Sequence, residues 1–173
     1  FMRLFHVSEE PNISVFHPRL PDRSDLDPFV GLVWAIDERH LPNFLTPRNC
    51  PRVTYHTNPN STADDISRFF SGHCRHVVAI EQKWFPIMQQ TTLYLYEFDS
   101  SEFELQDATA GYYVSKNTQI PIAVHVVDNL FDALFQRNVE VRIVDNLWLL
   151  RDKIFQSSLP FSFCRMHFAQ KPK

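Results

Sequence analysis

Histidine, carboxylate and aromatic side chains stand at predicted strand ends and turns of this chain, where they could act on a ligand. His6 lies late in Arg3-Leu4-Phe5-His6-Val7, just before the polar run Ser8-Glu9-Glu10. An imidazole there titrates near neutral pH and can hydrogen-bond a bound molecule. The plainer alternative is a hydrogen-bonded, partly buried ring. Asp107 follows Glu102-Phe103-Glu104-Leu105, where the chain turns. A fixed carboxylate at that point could stabilise a cation or do acid–base work. Glu102 and Glu104 share one face of the alternating segment, and a solvated sheet face explains them without function. Trp34 interrupts the aliphatic run Gly31-Leu32-Val33-Trp34-Ala35-Ile36. It is either core or a wall on which a flat ring, such as nicotinamide or a base, would stack. Tyr112 and Tyr113 alternate after Gly111, so one faces inward and one outward, and Tyr113 is the candidate pocket residue.

The cluster Gly72-His73-Cys74-Arg75-His76 invites a metal reading. Zinc wants four ligands, usually in spaced pairs. No second close pair exists, and strand alternation separates His73 from Cys74 and His76. A polar entry into the next strand accounts for the segment, and no metal is expected. Cys74 as a nucleophile would need a base that adjacency in sequence does not supply.

The composition narrows the function classes. Glycine occurs at positions 31, 72 and 111 only. Phosphate-cradling loops need several glycines close together, so a P-loop and a dinucleotide fingerprint are both excluded. A net charge of −3 and the lack of a Lys/Arg run argue against general nucleic-acid binding, which requires a basic face. No apolar stretch approaches the roughly 18 to 20 residues of a membrane span, and no membrane role is expected. The start has no signal-peptide core, and Phe1 ahead of Met2 reads as an addition before the natural start. Cys50, Cys74 and Cys164 are odd in number and scattered, which suits reduced thiols and a cytoplasmic location. The expected partner is a small-molecule ligand or substrate.

These side chains must be positioned by a short series of elements. Strands are expected at Arg3–Val7, Gly31–Ile36, Arg52–Tyr55, Val77–Ile80, Thr92–Tyr96, Glu102–Leu105, Gly111–Ser115, Ile120–Val127 and Val139–Val144. Short helices are expected after Asp37, after Ser61 or Thr62, around Trp84–Met88, after Asp128 and over Leu147–Phe155. The proline-rich stretch Ser8–Phe29 reads as a long ordered loop of the kind that often carries function. Strands outnumber helices and follow one another directly, so the expected fold is α+β, with mainly antiparallel sheets and short flanking helices in a single domain over residues 2–173.

The order of these pieces resembles the ADP-ribosyltransferase fold, and the small bacterial rifampicin ADP-ribosyltransferases in particular. The matching segments are Leu4-Phe5-His6-Val7, Leu32-Val33-Trp34-Ala35, Leu93-Tyr94-Leu95-Tyr96-Glu97, Phe103-Glu104-Leu105-Gln106-Asp107, and Tyr113-Val114-Ser115 through Ile120-Pro121. The whole chain is also similar to an uncharacterised bacterial family with the same Leu-Phe-His-Val-Ser-Glu opening. The transferase resemblance implies NAD as cofactor. It implies that His6 bonds the nicotinamide ribose, that Trp34 stacks on nicotinamide, and that Asp107 stands by the positive charge developing on the ribose. Trp34 replaces that family's tyrosine, and the Gly111-Tyr112-Tyr113 segment lacks a glutamate found in the wider group. A non-catalytic ligand-binding or interaction domain is therefore the alternative expectation.

Overall fold

The computed structural model describes residues 2–173; Phe1, and with it the reading of that residue as an addition, lies outside the described residues. The fold is α+β. In chain order the strands are β1 (Leu4–Ser8), β2 (Val33–Asp37), β3 (Arg52–His56), β4 (His76–Glu81), β5 (Leu93–Phe98), β6 (Glu104–Asp107), β7 (Tyr112–Ser115), β8 (Ala123–Val127), β9 (Glu140–Val144) and β10 (Phe161–Cys164). The α-helices are α1 (Ala63–Phe69), α2 (Phe85–Gln90), α3 (Leu130–Phe135) and α4 (Trp148–Phe155). The backbone forms two compact units. The first comprises residues up to Leu41 together with Leu93–Val127, and the second Pro42–Thr92 together with Asp128–Lys173.

The first unit is a six-stranded sheet in the order β6-β7-β2-β1-β5-β8. Every neighbouring pair in it is antiparallel. Directly opposed residues of antiparallel strands share a face, so the register assigns each side chain to a side. Leu4 opposes both Asp37 and Phe98, Ala35 opposes Tyr113, and Val33 opposes Ser115. Leu4, Val33, Ala35, Phe98 and Phe103 form a buried cluster on that face, with Phe16 and Tyr113 packed against it. The segment between β1 and β2 is ordered, as expected, and lies along the sheet as a strap. Its backbone is pinned by bridges between Phe16 and Gln119 and between Arg19 and Leu32. The Tyr96 hydroxyl donates to the Glu10 carbonyl and accepts from the Ile13 amide.

The second unit is a four-stranded sheet in the order β10-β3-β4-β9, antiparallel except for the parallel pair β4 and β9. Val77 to Ile80 are wholly buried, as a near-continuous apolar run in an interior strand should be. α1 starts where Thr62 accepts from the Asp65 amide at 3.2 Å, and Asp64 and Asp65 in its first turn suit the helix dipole. Its Phe69 packs with Val53, Tyr55, Phe70 and Leu147.

Three local expectations shift. The helix expected after Asp37 is a single 3₁₀ turn, Leu41–Phe44, with Pro42 in its first turn and Pro47 just beyond it disfavouring any continuation. α3 is capped by Asn129 rather than Asp128: Asn129 holds an extended backbone and its side chain accepts from the Asp132 amide at 3.0 Å. Glu102 belongs to a 3₁₀ turn (Ser100–Glu102) ahead of β6 and bonds Gln119 at 2.9 Å, so it does not share a strand face with Glu104. The tail after Leu159 supplies β10, paired along β3 from Phe161↔Tyr55 to Cys164↔Arg52.

Candidate functional site

The sequence candidates separate onto the two faces of the six-stranded sheet. His6 opposes Tyr96 across β1 and β5 and lies on the face that the strap covers. Its ring is half-buried, with the Phe16 ring centroid 4.8 Å away. Burial lowers its pKa from the ordinary value of 6.5, against an opposing hydrogen bond to the Trp34 backbone; the nearby Arg19 charge adds to the lowering. The imidazole is therefore favoured in its neutral form. Tyr113 lies on the same face, opposite Ala35, and packs against the Leu4 cluster.

Trp34 opposes Val114, and its neighbour Ile36 opposes Tyr112, so Trp34 and Tyr112 belong to the other face. Their rings meet edge to face, centroids 5.6 Å apart and planes at 88°. Arg23, from the loop between β1 and β2, sets its guanidinium over the Trp34 ring, Cζ 5.4 Å from the centroid. Arg23, Trp34 and Tyr112 line an open cleft of about 280 Å³. The guanidinium is held in place by Asp25, which accepts from Nε at 3.0 Å and from Nη2 at 2.7 Å.

Asp107 stands at the end of β6 opposite Tyr112, next to an irregularity in register after Leu105. Its carboxylate acts electrostatically on Arg23. One oxygen, Oδ1, accepts from the Thr109 and Ala110 amides at 2.9 and 3.1 Å. That oxygen therefore builds the turn leading into Gly111. Of the predicted site residues, Trp34 lines the cleft and Asp107 pairs with the cleft residue Tyr112, whereas His6 and Tyr113 lie on the other face.

This cleft has definite chemistry. A guanidinium attracts a phosphate or carboxylate, and two aromatic rings offer a surface for a flat ring. Drug-sized ligands occupy cavities of about 300 to 1,000 Å³, so this cleft accommodates one planar ring, with the rest of the molecule lying outside it.

In the second unit, His76 Nε2 meets the Asn43 side-chain oxygen at 2.7 Å, and the His56 ring lies 5.4 Å from that of His76. His73 is exposed and Cys74 half-buried. Among the described residues, no group of three or more His, Cys, Asp or Glu side chains could hold a metal ion. No helix of the described residues is long and apolar enough to cross a membrane.

The profile of a family of unknown function, DUF6886, matches residues 5–169, nearly the whole chain. The chain belongs to the DUF6886 family. No curated protein and no solved structure matches it, so the ADP-ribosyltransferase resemblance gains no support from relatives. The chemistry of this DUF6886 chain lies in its own side chains. Two of those, Arg23 and Tyr112, were not singled out as site residues by the sequence. The signal for Arg23 was the long proline-rich loop in which it sits. The signal for Tyr112 was the alternation at Tyr112-Tyr113, which leaves open which of the two rings faces the cleft until the register is known.

Proposed function

We propose that this chain binds a small anionic molecule carrying a planar ring, in the cleft of Arg23, Trp34 and Tyr112. The observation that carries this reading is the Arg23 guanidinium above the Trp34 ring beside an edge-on Tyr112, where the nitrogen that Asp25 does not bond, Nη1, is the donor for an anion next to an aromatic wall. Nucleotides have both features, and NAD, implied by the transferase resemblance, is the first ligand to test. The donor set offers a cation and rings rather than metal ligands, so no metal enters this reading. The acidic chain favours a small molecule over nucleic acid as partner. One buried and two half-buried free cysteines suit a reducing compartment, and the cytoplasm is the proposed location. Calorimetric titration with NAD and with AMP tests the proposal. Heat that saturates and is lost in Trp34→Ala and Arg23→Ala supports it; no heat from either ligand at millimolar concentration removes it.

An NAD-using group transfer is the second reading, and Asp107 favours it. Asp107 lies in β6 opposite Tyr112 and its charge acts on Arg23, two of the residues that line the cleft. A carboxylate in that place would stabilise positive charge on a ribose as its glycosidic bond breaks. The resemblance also implies His6 at the ligand, but His6 lies on the other face of the sheet from Trp34 and Tyr112, so this reading rests on Asp107. Nicotinamide release above the uncatalysed rate, lost in Asp107→Asn, supports it. NAD binding that is unchanged in His6→Ala, with no nicotinamide released, leaves binding alone.

A further inference from the structure

The two edges of the six-stranded sheet are built differently. An open strand edge is a template for pairing with another chain, and proteins guard such edges with charge, bulges or proline. The β6 edge is guarded: Glu104 is exposed, Glu102 and Asp107 flank it, and the ladder is irregular after Leu105. The β8 edge is not. From Ile120 to Val127 there is no Asp, Glu, Lys or Arg. Val124 and Val126 oppose Tyr96 and Tyr94, so they share a face, and Ile120 and Ile122 continue at the same two-residue spacing. These four are 68%, 61%, 49% and 63% exposed in sequence order, an apolar stripe left in water beside an open backbone edge. Val15, beside the Phe16–Gln119 bridge, is also exposed and extends the stripe. His125 takes the opposite face, where its Nε2 meets Glu97 at 2.8 Å.

We propose that β8 pairs antiparallel with β8 of a second copy, joining two six-stranded sheets across a two-fold axis. Charge selects this occupant. Self-pairing sets the apolar stripe against itself, with no carboxylate, lysine or arginine of β8 opposed, and His125 stays on the other face with Glu97. Head-to-tail pairing of β8 with β6 would bring the stripe against carboxylates and an irregular ladder, and would propagate without closing. The β8–β8 contact closes after two copies. Strand pairing of this length falls at the low end of specific interfaces, under about 1,200 Å² in total, so the association is concentration-dependent rather than permanent.

Light scattering after size-exclusion chromatography, run from micromolar to millimolar concentration, tests this. The parent chain is expected to double in mass as concentration rises. Val124→Lys/Val126→Lys should remain a folded monomer throughout, and Leu105→Lys on the guarded edge should dimerise like the parent. Should the double variant fail to fold, amide hydrogen exchange of the unaltered chain gives the answer: β8 amides should exchange more slowly as concentration rises. A parent chain that is monomeric at every concentration leaves β8 to a foreign strand and overturns the proposal. A dimer that persists in folded Val124→Lys/Val126→Lys, or β8 exchange independent of concentration, overturns it as well.

Discussion

The side chains of His6 and Trp34 leave adjacent strands on opposite faces of one sheet, and the backbone of Trp34, not its ring, is what hydrogen-bonds His6. A ligand stacked on the Trp34 indole therefore does not reach the His6 imidazole. His6→Ala should leave affinity for a cleft ligand within about twofold while lowering folding stability by about 1–2 kcal/mol, since it removes a half-buried ring under Phe16. Titration calorimetry and chemical denaturation of the same variant check both halves.

Glu97 is buried and accepts from Arg3 through Nε at 3.2 Å and Nη2 at 2.8 Å, and from His125 at 2.8 Å. The Arg3 hydrogen bond, helped by that of His125, lowers its pKa below the ordinary 4.5. A carboxylate with a depressed folded pKa contributes stability above its unfolded pKa, and this is lost as pH falls through the folded value. Stability should drop below about pH 4.5 on this account. Glu97→Gln should cost about 2 kcal/mol at pH 7 and much less in acid. Urea midpoints at pH 7 and in acid would show the difference; equal losses at both would remove the charge from the explanation.

The same linkage runs through His6 in a separate window. Burial lowers its pKa, so the unfolded chain takes up the proton more readily and stability falls as pH drops below 6.5. His6→Gln should flatten the profile just below that value and leave the acid limb of Glu97 in place. A slope near pH 6 that persists in this variant would assign it to another histidine.

Gly111 adopts φ +76, and a β-carbon there would meet His40 Nδ1 at 2.4 Å. The imidazole cannot easily move, because Nδ1 lies 2.7 Å from Asp37 Oδ1 and the ring is buried. Gly111→Ala combines left-handed backbone strain with a clash and should cost at least ~2 kcal/mol. The penalty should be smaller in a His40→Ala background, leaving the backbone part alone. A double-mutant cycle of melting temperatures measures the coupling.

Cys50 is fully buried, and desolvation pushes its thiol up to about 12. It should resist thiol reagents in the native state at neutral pH, since the thiolate is the reacting species. A colorimetric thiol assay should label Cys50 only after denaturant is added. Modification of Cys50 at the rate of an unfolded thiol would show that this part of the second unit opens.

The sequence by itself determined the fold class, the positions of most strands and the start of α1, because local hydrophobic period and capping chemistry set these. The apolar run at Val77–Ile80, the strand over Ile120–Val127 and a cap at Ser61 or Thr62 needed no distant partner to be read. It also excluded a glycine-built phosphate loop, since three scattered glycines cannot line one. Only the tertiary structure decided which side of the sheet each candidate faces. Strand pairing is set by contacts far apart in sequence, and a shift of one residue exchanges the faces. Trp34 and Tyr112 share a face because Ile36 pairs with Tyr112, and His6 lies on the other because Leu4 pairs with Asp37. Arg23 sits over Trp34 in a loop that is bridged from Phe16 to the distant Gln119 and from Arg19 to Leu32, just ahead of β2. Asp107 reads in sequence as a carboxylate at a turn that could stabilise a cation, yet one of its oxygens is committed to the turn before Gly111, a geometry that depends on how β6 and β7 meet.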